Sequence, residues 1–171
     1  MAGTSSRGNP AMGDVVRSVV VLGLVVLGLF GIGKLVTVTP DTPTRSVDYR
    51  GAVDSARDAL GHDVLAPDRL PDGWRATSAR VRADAWTLGV VTPDDEFVGL
   101  YQGRDRKNLL ERYAHGVGRG AVELDGVRWA ERRGDRDETI LTRTVDGSVA
   151  IVSGTAPRRE VLDYASSLSS D

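Results

Sequence analysis

The chain has no cysteine. That excludes disulfides, thiolate metal sites and a cysteine nucleophile, and leaves the redox compartment open. Only two histidines, His62 and His115, are present, so histidine-based metal or acid–base chemistry has few places to arise. Aromatic residues make up 5% of the 171 residues, with three tryptophans. There is no charge excess either. The formal net charge is −2, which gives no general drive toward nucleic acid or anionic lipid. No G-x-S-x-G motif occurs, and no serine has a histidine placed to activate it, so nucleophilic hydrolysis has no sequence support.

What is present is ordinary for a folded chain: 40% hydrophobic and 27% charged residues. The basic residues are lopsided, with 20 arginines against two lysines. A guanidinium fork suits phosphate and carboxylate, and a GC-rich codon bias produces the same excess.

The longest apolar run is Ser18 to Val38, whose one charge is Lys34. As a helix, 21 residues span about 31 Å, which matches a hydrocarbon core of roughly 30 Å. Lys34 sits near the end of the run, where its stem can snorkel to the headgroups. The flank Thr37-Val38-Thr39-Pro40 offers no signal-peptidase pattern, so the run reads as an uncleaved anchor. Its glycines are not spaced four apart, which leaves no GxxxG dimerisation face. Flanking basic residues are almost balanced, and a short tail before an early apolar segment directs the following domain outward. The expected plan is therefore a cytoplasmic tail at 1–17, a transmembrane helix at 18–38, a proline-bearing linker at 39–45 and an extracytoplasmic domain at 46–171. The part after the anchor carries a net −4 by residue count.

Within the domain, Val53, Ala56 and Leu60 at helical spacing predict a helix from Tyr49 to Leu60, stopped by Gly61. Strands are predicted at 74–81, 85–91 and 96–102, then a helix at about 105–115, which Gly116-Val117-Gly118-Arg119-Gly120 ends. Further strands are predicted at 121–123, 127–132, 137–144 and 148–153, with Asp146-Gly147 as a hairpin signal. A last helix opens near Pro157. The halves align at an offset of about 51, which places Gly103 on Gly154 and Tyr113 on Tyr164. Either an ancient duplication or convergent patterning explains this. The fold class expected is α+β, a mostly antiparallel sheet of about six strands built as two βββα units with helices packed on it. By analogy this plan is similar to Mog1/PsbP-like folds, whose members mostly bind partners.

Three stretches carry a resemblance: Trp86 to Gln102 (WTLGVVTPDDEFVGLYQ), the lead-in Leu70-Pro71-Asp72-Gly73-Trp74, and Gly154-Thr155-Ala156-Pro157 before the last helix. Together they resemble an actinobacterial membrane-anchored family, domain-of-unknown-function family 4245. The resemblance implies a short tail, one span and an envelope location. It brings no catalytic residues.

Candidate sites follow from residue type. Arg104, Arg106, Lys107, Arg112 and Arg119 form a candidate anion-binding patch, or a solvated helix face. Trp74, Trp86 and Trp129 form a candidate aromatic groove, or core packing. The acidic turns Asp94-Asp95-Glu96 and Asp135-Arg136-Asp137-Glu138 do not match a calcium loop. The glycine run 116–120 follows a helix and precedes a strand, the reverse of a dinucleotide site. No metal or cofactor is expected. The reading is a non-catalytic binding or assembly module of the cell envelope, in contact with the bilayer through 18–38 and with an envelope protein partner, and without nucleic acid. The alternatives are an extracytoplasmic lipid or sugar carrier, and an envelope hydrolase built on His62 or His115 with acids such as Asp63 or Asp95.

Overall fold

A computed structural model describes residues 46–170. The 18–38 segment lies outside them, and among the described residues no helix is long and apolar enough to cross a membrane.

Helix α1 (Tyr49–Leu60) has the predicted bounds. Asp48 caps it by accepting from the Arg50 amide at 3.1 Å. Gly61, in the left-handed region at φ 62°, ends it and donates to the Arg57 carbonyl. Tyr49, Val53 and Ala56 form its buried stripe.

Seven strands make one antiparallel sheet: β2 (Arg75–Arg82), β3 (Ala85–Val91), β4 (Phe97–Gly103), β5 (Val117–Leu124), β6 (Val127–Arg133), β7 (Thr139–Val145) and β8 (Ser148–Gly154). Their spatial order is β2-β3-β4-β8-β7-β6-β5, so β4 and β8 are central and β2 and β5 are edges. Two short strands, β1 (Ala66–Pro67) and β9 (Leu168–Ser169), pair separately and tie the end of the chain to the segment after α1. The hairpin turns Asp125-Gly126 and Asp146-Gly147 both take positive φ at two successive residues, the primed turn that matches strand twist.

Helices α2 (Arg106–Tyr113) and α3 (Arg158–Ser166) follow β4 and β8. Strand alternation splits the apolar residues into two clusters, one per face. On face one, α1 and α3 cover Trp86, Leu88, Leu100, Trp129, Leu141 and Val152. On face two, α2 lays Leu109 against Ala85, Val149 and Ile151, and Tyr113 stacks on Tyr101 with centroids 3.7 Å apart.

The α+β class and the antiparallel sheet stand as expected, with two differences. The sheet has seven strands rather than about six, because every one of the seven strand stretches read from the sequence joins it, four of them, β5 to β8, from the second half. The helices that follow β4 and β8 lie on opposite faces. A two-fold axis normal to the sheet would place both on one face, so no such axis relates the halves. The glycine run also differs from the reading. Val117–Leu124 is one strand, with a bulge between Gly118 and Gly120. Gly120 absorbs it at φ 106°, a conformation side chains disfavour.

A buried pair of polar side chains fastens the loop after α1 to the sheet. Trp86 and Gln102 face each other across β3 and β4. Gln102 Oε1 accepts from the Leu65 amide at 2.7 Å, and Trp86 Nε1 donates to the Leu65 carbonyl at 2.9 Å. Gln102 Nε2 donates to the Asp63 carbonyl at 3.1 Å and to Ser148 Oγ at 3.0 Å. Replacing Gln102 by Leu keeps the volume and strands a buried amide. The expected cost is about 2–4 kcal/mol, which lowers the melting temperature by about 10 °C. Arg75→Ala, which breaks the exposed Arg75–Asp95 pair, should cost under about 1 kcal/mol. Thermal unfolding of both variants checks this, and a Gln102→Leu protein that melts with the wild type contradicts it.

Candidate functional site

Three surface grooves differ in charge. The first, about 330 Å³, lies between α2 and the β2–β3 hairpin. Arg82 and Arg112 line it together with Asp84 and Asp105, so its charges balance. Asp105 is engaged as the cap of α2, accepting from the Asn108 amide at 3.1 Å.

The second, also about 330 Å³, lies where α3 begins beside β6 and β7. At its base the Glu131 side chain is 7% exposed, and Arg158 Nε and Nη2 each donate to one of its oxygens at 2.8 Å. This bidentate fork is the strong form of the ion pair. It holds the Glu131 carboxyl below the usual carboxylate range: the Arg158 hydrogen bonds dominate, burial opposes them, and the charges of Arg158 and Arg119 add to the lowering. Nearby, Arg133 pairs with Asp137. The groove is a clamp between helix and sheet, with its buried carboxylate already matched.

The third groove is the largest of these, about 460 Å³, and lies on face two over β5, β6, β7 and β8 beside α2. Its floor is small: Gly120, Ala121, Ala130 and Thr142. Arg106 reaches in from α2 and donates to Thr144 Oγ1 at 3.0 Å, and Arg128 of β6 lines the same space. Among the described residues no carboxylate lines it. Arg143 contributes to the lining as well, while its guanidinium carbon sits 4.6 Å from the Trp129 ring centroid, in face-one company.

The structure distributes the sequence-derived anion patch. Arg112 lines the first groove, Arg119 the second and Arg106 the third. Lys107 is exposed on α2 at 4.0 Å from Glu111, and Arg104 precedes the helix. The tryptophans do not form a groove: Trp86 and Trp129 are buried in the core, and Trp74 stacks on Tyr164 with centroids 5.9 Å apart. His62 follows α1 and His115 follows α2, helices on opposite faces of the sheet. Asp95 is paired with Arg75 at 2.8 Å. Among the described residues no group of three His, Asp or Glu is placed to hold a metal ion. Sequence reading missed Arg128 and the small floor. The available signal was Arg128-x-Ala130-x-Arg132 beside Gly120-Ala121, small and basic residues alternating on one strand face.

The sequence model of a family described as "Protein of unknown function (DUF4245)" matches residues 7–168. No curated protein matches the chain.

The Glu131–Arg158 clamp carries a pH signature. Because the folded value for Glu131 lies below the ordinary one, its contribution is whole above the unfolded value of about 4.3 and is lost as pH falls below that, through the folded value. Glu131→Gln should be less stable than wild type at neutral pH, and the gap should shrink below about pH 4. Urea midpoints measured across pH test this, and a gap unchanged at low pH contradicts it.

Proposed function

The chain belongs to the DUF4245 family, and we propose that it is a non-catalytic binding or assembly module of the cell envelope, tethered by residues 18–38 with its α+β domain outside the cytoplasm. The observation that carries the binding role is the unequal covering of the sheet. Two helices cover face one with a continuous apolar core. On face two, α2 packs on β4 and β8, and Ala121 and Ala130 remain exposed beyond it. Exposed alanine on a strand adds little to sheet stability. An open trough of such residues beside arginines suits recognition better than scaffold.

The tether rests on the apolar run 18–38 itself, and the family match, which covers residues 7–168, includes that run together with the domain. The segment and the domain thus form one family unit. The balance of acidic over basic residues after the anchor, net −4, argues against a general nucleic-acid partner.

Protease added to intact spheroplasts tests the arrangement. The expected outcome is that full-length protein sediments with membranes and that its domain is cut without lysis. A domain protected until the membrane is breached would overturn the orientation, and full-length protein in the soluble fraction would overturn the tether.

A further inference from the structure

Three arginines and no anion line the groove over β5 to β8, and since Arg143 sets its guanidinium over Trp129, Arg106 and Arg128 are left to face a ligand. Arg106 is aimed there by an exposed bond to Thr144. Arg128 enters the same space from β6, and Glu123, its partner in the β5–β6 ladder, does not line the groove. Two guanidiniums that share a groove repel each other, and an oxyanion between them relieves that repulsion through forked hydrogen bonds. The other two grooves lack this property, because Asp84 and Asp105 balance one, and three carboxylates, Glu131, Asp137 and Glu138, stand among the five arginines of the other.

The floor sets the size of the occupant. Lining residues come from four adjacent strands, β5, β6, β7 and β8, and three inter-strand spacings amount to about 14 Å. A single phosphate or carboxylate is much shorter than that. The cross-strand pair Ala121–Ala130 keeps the floor low, so a chain can lie along it.

We propose that this groove binds the phosphate or carboxylate groups of a linear anionic polymer outside the membrane, with Arg106 and Arg128 holding the charged groups. The inference rests on the binding-module reading and names its ligand class.

The test uses full-length protein in a neutral detergent, with fluorescence anisotropy of labelled polyphosphate and labelled polygalacturonate. Either polymer, or both, should bind, and the affinity should fall as salt rises; the preferred polymer identifies phosphate or carboxylate as the recognised group. Arg106→Ala/Arg128→Ala should weaken binding at least about tenfold and flatten the salt dependence. Arg82→Ala/Arg112→Ala, in the balanced groove, should change it less than about twofold. All four side chains are exposed, and matched melting curves confirm that the variants fold. Equal losses in the two variants would mean diffuse attraction and overturn the proposal. So would failure of both polymers to bind, or binding only to vesicles containing phosphatidylglycerol. Failure of the polymers, with the domain still cut in intact spheroplasts, would sink this inference and leave the tethered-module reading standing.

Discussion

The Leu65 peptide is gripped from both sides by two side chains that face each other across the central sheet. Gln102 accepts from its amide, and Trp86 donates to its carbonyl. The loop from Gly61 to Leu65 has no regular partner of its own, yet Val64 and Leu65 are fully buried. Burying unpaired backbone there would cost several kcal/mol, on the order of a large share of a domain's stability. The clamp removes that cost. It also fixes where α1 lies, because α1 enters the loop, and where the chain ends, because β1 follows the loop and pairs with β9.

From that constraint follows the unequal treatment of the two faces. With α1 anchored at one end and α3 held by the Glu131–Arg158 fork, face one is closed over Trp86, Trp129 and Tyr164. Face two receives the eight-residue α2, which packs on β4 and β8. The strands β5 and β6 extend beyond it, and their face-two residues meet solvent. A sheet with one sealed and one partly open side has a natural working surface, and the arginines of α2 and β6 stand around it.

Much of this was legible in the residues. The stripe Val53, Ala56 and Leu60 with Gly61 behind it marks α1 to the residue, and Asp146-Gly147 marks its hairpin, because both signals are local. The strand β5 was less legible: Gly116, Gly118 and Gly120 look like a loop when read alone, and only pairing with β6 and the bulge make them strand. The faces of the helices were not legible at all. A periodic pattern shows which side of a helix is apolar and not which side of a sheet receives it. The candidate anion patch failed to stay together for the same reason. Arg106, Arg112 and Arg119 are close in sequence, yet the turn of α2 and the course of β5 send them to three grooves. Arg128 joins Arg106 through sheet pairing, which spacing along the chain does not reveal.

Amide hydrogen exchange of the full-length protein tests the central claim most directly. If the Trp86–Gln102 clamp governs the fold, the Leu65 amide exchanges as slowly as the core strands β4 and β8, by global unfolding, although it lies in a loop. If that amide exchanges at the rate of an exposed turn residue such as Asp94, the clamp is not what holds the loop, and the account of how face one is sealed is wrong.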